Sequence, residues 1–304
     1  MFLQLKNTSI GYSTPLVEGI NAALGLGEVC LIIGNNGVGK TTLLKSILHQ
    51  IQLLEGQIFL NDNNIELLSV KDAAKLVSVV FSKANIPTNY TVTDLISFGK
   101  YIHLPYYFEL NKNDIEDVEN TISLLGLDQY KKVNLTQLSD GNLQKAFIGR
   151  ALVQNTPCII LDEPTTHLDE ENKIMILQIL RKLAKEQQKL IVFSSHDWRL
   201  AKEFSDKIWY LKDQKLISGI TEEVLLQQKE LTQPQLFNFH PNFKAPKIFA
   251  PSMEAEMLYS FLQKNFNLDF SNYTFEFDQN SWKLKTDNSQ QIFSNFSEIS
   301  KFIP

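Results

Sequence analysis

The sequence has 304 residues and a formal net charge of -5, with 43% hydrophobic and 21% charged side chains. These values are ordinary for a soluble globular protein, and the acidic balance argues against nucleic acid or an anionic membrane surface as a partner. No apolar run approaches the ~20 residues that a membrane-spanning helix needs.

In chain order, the first 28 residues predict strands and turns, and the apolar run Val29–Ile33 predicts a buried strand before a glycine-rich turn and a helix over Lys40–His49. Short strands follow, and from Thr93 to about Ile148 the pattern is helical. Three further strand–helix units then complete the first 230 residues. This alternation predicts an α/β fold with a mostly parallel sheet and a helical insertion at about 85–150.

Residues 231–304 have a different character. Prolines 234, 241 and 246 mark a linker, and twelve of the 20 Phe residues lie after Leu236, enough apolar surface for a small folded unit. The predicted elements are a strand at Lys247–Ala250, a helix at Met253–Asn265, a hairpin at Tyr273–Lys285 and a last helix near Ser297–Ile303.

The stretch GNNGVGKTT matches the spacing G-x-x-x-x-G-K-[ST] between a predicted strand and a predicted helix. Glycines allow backbone N–H groups to surround phosphates, Lys40 can reach the outer phosphates, and the Thr41 hydroxyl can bind Mg²⁺. The candidate nucleotide ligands are Gly34, Asn35, Asn36, Gly37, Val38, Gly39, Lys40, Thr41 and Thr42.

Polar residues also end two other predicted strands. Asp162 and Glu163 follow a buried apolar run, so one carboxylate can hold Mg²⁺ while the other acts as a base toward water. His196 lies just after the strand at 190–193, where open α/β sheets bind ligands, and could touch the γ-phosphate.

A second anion site is indicated by TQLSDGNLQKAFIGRAL, where a short loop opens a helix. Free N–H groups, a Ser hydroxyl and the positive end of the helix dipole suit an anion there. The candidate ligands are Ser139, Gly141 and Asn142.

Over roughly Phe2 to Ile220 these motifs resemble, in their expected order, those of the nucleotide-binding subunits of ABC transporters. Gly34–Thr41 resembles the Walker A motif, and Ile159–Glu163 resembles the Walker B motif. Leu138–Asn142 resembles the family signature, Thr166–Asp169 resembles the D-loop, and His196 resembles the switch histidine. The resemblance implies a P-loop NTPase with an N-terminal antiparallel β subdomain, a helical subdomain and a C-terminal α+β appendage.

The resemblance also implies function. ATP and Mg²⁺ are the expected ligands, Tyr12 is expected to stack on adenine, and two copies are expected to pack head to tail with shared ATP sites. In the family a Gln meets Mg²⁺ at the end of the strand at 77–81, where this chain has Ser82. The signature has Asp140 in place of the usual Gly.

Two stretches, TVTDLISFGKYIHLP and ALVQNTPCIILDEPTTHLD, resemble importers of iron–siderophore, haem or cobalamin complexes. This implies multi-span permease partners, an indirect substrate-binding partner and a place at the cytoplasmic face of the cell membrane. Two alternatives stay open: a soluble ABC ATPase that is not coupled to transport, and a nucleotide sensor that does not hydrolyse ATP. Soluble ABC proteins that act on ribosomes resemble two cassettes in one chain, so the single cassette without repeats argues against that form of the first alternative. Glu163 and His196 argue against the sensor.

Overall fold

A computed structural model describes residues 1–81, 88–104, 109–228, 231, 240–278, 281–286 and 289–303. Contacts divide the chain into two units, Met1–Gln227 and Gln228–Pro304. The sequence predicts the boundary between its two domains at residue 230, three residues beyond this division.

The first unit contains ten strands and eight α-helices among its described residues. The strands are β1 (Leu3–Gly11), β2 (Pro15–Leu24), β3 (Val29–Gly34), β4 (Glu55–Leu60), β5 (Asn63–Asn64), β6 (Val77–Val80), β7 (Cys158–Leu161), β8 (Leu190–Ser194), β9 (Lys207–Lys212) and β10 (Lys215–Ile220). The helices are α1 (Lys40–Ile47), α2 (Val70–Leu76), α3 (Val92–Ser97), α4 (Lys112–Leu124), α5 (Asp140–Val153), α6 (Glu170–Gln187), α7 (Trp198–Ala201) and α8 (Thr221–Gln227).

The central sheet has the strand order β10-β9-β3-β8-β7-β6. Five strands run parallel to one another, in the order β9, β3, β8, β7 and β6. The edge strand β10 pairs antiparallel with β9. Every residue of β7 and β8 is buried, as expected for parallel strands covered on both faces. Because parallel strands end at one edge, the carboxyl ends of β3, β7 and β8 lie together, with β8 in the middle.

A second, antiparallel sheet has the order β2-β1-β4-β5. Its buried residues, among them Ile10, Val17 and Ile58, share one apolar core with Ile32 of β3 and Leu43 of α1. This shared core fixes α1, and with it the loop that precedes α1, against both sheets.

The helical insertion consists of α3, α4 and α5. Asp94 and Asp114 complete capping boxes with Thr91 and Asn111 at the starts of α3 and α4, which defines where each helix begins. Just after α3 the backbone approaches α5 closely, because a Cβ built on Gly99 would lie 2.2 Å from the carbonyl oxygen of Arg150. Only glycine permits this approach, which sets the position of α5.

In the second unit the elements are β11 (Lys247–Phe249), α9 (Ser252–Asn265), β12 (Thr274–Asp278), β13 (Ser281–Thr286), β14 (Ser289–Phe293) and α10 (Phe296–Phe302). The sheet order is β11-β12-β13-β14, with the first pair parallel and the others antiparallel. Its core is largely aromatic, and its buried residues are Leu258, Leu262, Phe266, Phe270, Phe275, Trp282, Leu284, Phe293, Ile299 and Ile303. The sequence predicts these elements except β14.

Among the described residues, no helix has the length and apolar character needed to cross a bilayer.

Candidate functional site

The phosphate loop joins β3 to α1. Gly34 ends the strand, Asn35, Asn36, Gly37 and Val38 form the turn, and Gly39 caps the helix in a left-handed conformation. At Gly34 φ is 149°, and an added Cβ would lie 2.7 Å from the carbonyl oxygen of Leu211, so glycine is required. Lys40, Thr41 and Thr42 form the first turn of α1, as the sequence predicts.

Lys40 folds over its own loop. Its Nζ donates hydrogen bonds to the carbonyl oxygens of Gly34, at 2.8 Å, and of Asn35, at 3.1 Å. The side chain is buried, and burial lowers the pKa of this lysine, while the nearby carboxylates of Glu163 and Asp162 act in the opposite direction. A cation thus lies inside a loop whose shape suits phosphate.

Thr41 and Asp162 bring oxygen ligands together at the start of α1 and the end of β7. The Thr41 hydroxyl donates to Asp162 Oδ2 at 2.9 Å, and Asp162 is 1% exposed. Hydroxyl and carboxylate oxygens are the ligands that Mg²⁺ prefers. These two residues therefore fit the predicted metal site.

Glu163 directly follows Asp162, and its φ of 55° lies in the left-handed region. Its Oε1 lies 2.6 Å from His196 Nε2, and its Oε2 accepts a hydrogen bond from the Thr166 hydroxyl at 3.3 Å. The structure thus joins the predicted base to the predicted switch histidine. Thr166 was not singled out as a ligand in the sequence.

Ser194, the last residue of β8, connects the two carboxylate residues. Its hydroxyl donates to Asp162 Oδ1 at 2.7 Å and accepts the backbone N–H of Glu163 at 2.9 Å. Sequence reasoning did not identify Ser194 as a site residue. The available signal was a hydroxyl at the end of the strand that precedes His196.

The signature residues lie at the start of α5. Ser139 caps this helix, and its hydroxyl accepts the N–H of Asn142 at 3.4 Å. A Cβ on Gly141 would lie 3.1 Å from the carbonyl oxygen of His167, so this entry packs near the D-loop. Among the described residues, no hydrogen bond or ion pair joins Ser139, Gly141 or Asn142 to the phosphate loop.

Two other predicted ligands have different outcomes. Tyr12 lies in the turn between β1 and β2 and is 65% exposed, so its ring is accessible from solvent. Ser82, the predicted third metal ligand, lies outside the described residues.

Comparison with known proteins identifies the family of the chain. The ABC transporter family matches residues 17–166. An uncharacterized ABC transporter ATP-binding protein of Methanocaldococcus jannaschii is 36% identical over 228 residues, 74% of this chain and 79% of the relative. The iron(3+)-hydroxamate import ATP-binding protein FhuC of Bacillus subtilis is 33% identical over 225 residues, 73% of this chain and 84% of FhuC.

Among solved structures, the dimeric ATP-binding cassette MJ0796 in a post-hydrolysis state, bound to ADP and Pi, superposes with a TM-score of 0.64. It is 26% identical, and the match covers 72% of this chain and 98% of that cassette. The predicted P-loop NTPase fold is therefore confirmed. The chain belongs to the ATP-binding proteins of the ABC transporter family and is a nucleotide-binding ATPase of that family.

Proposed function

We propose that this chain is the ATP-hydrolysing subunit of an importer for an iron–siderophore, haem or cobalamin-type complex. The observation that carries the proposal is a pair of contacts beside the carboxyl ends of β7 and β8. Thr41 of α1 contacts Asp162, and Glu163 contacts His196. The printed name of the B. subtilis relative supports the substrate class, since that protein is called an iron(3+)-hydroxamate import ATP-binding protein.

In the proposed reaction, water attacks the γ-phosphate of ATP in line with the leaving oxygen. Lys40 and the N–H groups of the phosphate loop stabilise the negative charge that the phosphates carry in the transition state. Thr41 and Asp162 would hold Mg²⁺, which when bound neutralises charge on the β- and γ-phosphate oxygens. Ser82 is the third oxygen ligand that we propose for this ion.

Glu163 is the proposed base. Its carboxylate orients the attacking water and accepts its proton. His196, 2.6 Å from Glu163 Oε1, fixes the direction of that carboxylate and then steadies the phosphate product. The contact holds one carboxylate oxygen, and the 3.3 Å bond from Thr166 holds the other.

The complete site is proposed to require a second copy of the chain. Ser139, Gly141 and Asn142 of one protomer would cover the ATP held by the phosphate loop of its partner. The support is that Ser139 is exposed at a helix start, where N–H groups favour an anion. The exposed ring of Tyr12 is the proposed stacking surface for adenine.

The proposed partners are multi-span permease subunits at the cytoplasmic face of the cell membrane and, indirectly, a substrate-binding protein. An affinity-tagged chain should therefore retain a permease when detergent-solubilised membranes are applied to it. Vesicles that contain the recovered complex should take up a ferric hydroxamate, haem or cobalamin only with ATP, and not with the Glu163→Gln chain. Retention of soluble partners alone, with full ATPase activity, would instead favour the soluble ABC ATPase.

A further inference from the structure

One buried hydroxyl links the two carboxylate residues of the site. We infer that Ser194 is a positioning residue for ATP hydrolysis, which holds the metal-binding Asp162 and the basic Glu163 in a fixed relation. This inference rests on the roles proposed above for those two residues. Ser194 itself is not expected to touch ATP.

The directions of its two hydrogen bonds are set by chemistry. A carboxylate only accepts, so the Ser194 proton goes to Asp162 Oδ1 at 2.7 Å. A backbone N–H only donates, so a Ser194 lone pair accepts from Glu163 at 2.9 Å. Ser194 is 0% exposed, so water has no ready access to replace either bond. Both bonds therefore depend on this side chain.

For Asp162, the bond from Ser194 selects which carboxylate oxygen meets the metal. With Oδ1 held by Ser194, Oδ2 faces the Thr41 hydroxyl at 2.9 Å. The two hydroxyls on opposite oxygens fix the rotation of the carboxylate plane. Without Ser194, the carboxylate would lose one of these restraints and could rotate away from the position that suits Mg²⁺.

For Glu163, the bond acts on the backbone. A left-handed φ of 55° is sterically unfavourable for a residue with a Cβ. The Ser194 hydroxyl stabilises this conformation by accepting the Glu163 N–H. Since the side chain projects from this peptide unit, a change there would displace the carboxylate from His196 and from the attacking water.

The test compares Ser194→Ala with Ser195→Ala. Ser195 is the next residue and is 3% exposed, and its hydroxyl is buried without a hydrogen-bond partner among the described residues. Each variant removes one buried serine hydroxyl, but only Ser194→Ala removes hydrogen bonds to Asp162 and Glu163. ATP turnover is measured against ATP and Mg²⁺ concentration, and Mg²⁺-dependent ATP binding is measured separately in chains that also carry Glu163→Gln.

We expect Ser194→Ala to lower kcat and to raise the Mg²⁺ midpoint, which is the Mg²⁺ concentration at half-maximal ATP binding. The expected size is about 10–100-fold in Mg²⁺ affinity or activity, as is typical when a group that orients a metal ligand is lost. The KM for ATP should change little, because the phosphate loop is untouched. Ser195→Ala should stay within about twofold of the wild type, since no described hydrogen bond is lost.

An unchanged kcat and Mg²⁺ midpoint in Ser194→Ala would overturn the inference, and so would an equal loss in Ser195→Ala. A lower Tm with an unchanged Mg²⁺ midpoint would show a purely structural role and would also overturn it. If Ser194→Ala does not fold, Ser194→Cys keeps the shape with a much weaker hydrogen-bonding group; wild-type kcat and Mg²⁺ midpoint there would contradict the inference. Failure of the proposed function is seen separately, as full turnover in Glu163→Gln alone.

Discussion

We expect Glu163→Gln to separate ATP binding from hydrolysis, because Glu163 is the proposed base. The amide keeps the length and shape of the side chain but cannot accept a proton from water. The backbone bonds at this residue remain, since the N–H donates to Ser194 at 2.9 Å and the carbonyl oxygen accepts the Thr166 N–H at 3.2 Å. We therefore expect the variant to fold normally.

The expected loss of turnover follows from the proposed role of the carboxylate as a base. A positioned general base contributes about 10²–10⁴-fold, which corresponds to about 2.7–5.4 kcal/mol in the activation free energy. ATP affinity should be equal or higher, because the Glu163 carboxylate acts electrostatically on Lys40 and would repel the γ-phosphate. The described contacts of this carboxylate go to His196 and Thr166, outside the phosphate loop.

The assay measures phosphate release at saturating ATP and, in parallel, nucleotide retained after gel filtration. Glu170→Gln is the matched control, because Glu170 lies exposed in the first turn of α6 and undergoes the same chemical change. The control should keep wild-type turnover. Turnover of Glu163→Gln within about twofold of the wild type would remove Glu163 as the base.

Three further outcomes are expected. Lys40→Ala should weaken ATP binding and turnover together, measured by nucleotide titration, and unchanged affinity would contradict the phosphate-loop assignment. Gly99→Ala should lower the free energy of unfolding by about 1–3 kcal/mol, the usual cost of overpacking, because the new Cβ would meet the Arg150 carbonyl oxygen. A denaturant midpoint equal to that of the wild type would refute this expectation. Partial burial raises the pKa of Asp206, but the hydrogen bonds from Lys185 and from a backbone N–H outweigh it and leave the pKa below its ordinary value. The stabilising contribution of the Asp206 carboxylate is therefore present above about pH 3.9 and is lost as pH falls through the lower folded-state pKa. Asp206→Asn should lower Tm at pH 7, and the difference in Tm from the wild type should shrink on acidification. A difference in Tm that grows in acid would contradict the lowered pKa.

The sequence identifies the phosphate loop and the strand-end carboxylates because each depends on local spacing and on the direction of parallel strands. Gly34, Lys40 and Thr41 lie where the motif predicts them. Asp162 and His196 follow β7 and β8, which end at the same edge of the sheet. Local chemistry and one topological rule are sufficient for these positions.

The role of Ser194 could not be predicted in the same way. Its bonds cross from β8 to the end of β7, so they depend on the register that pairs Leu161 with Phe193. Sequence spacing does not give that register. Nor does it show the left-handed conformation of Glu163, because carboxylate residues adopt ordinary backbone angles in most settings.

The missed strand β14 has a different cause. Ser289–Phe293 contains three polar residues in five and lies at the edge of its sheet. Its pairing comes from the neighbouring strand β13, through pairs such as Trp282 with Phe293. Such a strand depends on tertiary contacts more than on its own β propensity.

The most direct test of the account is whether two chains build each ATP site together. One protomer carries Lys40→Ala, its partner carries Ser139→Arg, and both carry Glu163→Gln so that bound ATP is not consumed. If sites are shared, both defects fall in one site of the two-fold dimer and the other site stays intact, so the mixed dimer should trap about one ATP and either mutant homodimer little or none. A mixed dimer that traps no ATP, while the Glu163→Gln homodimer traps about two, would contradict the shared site.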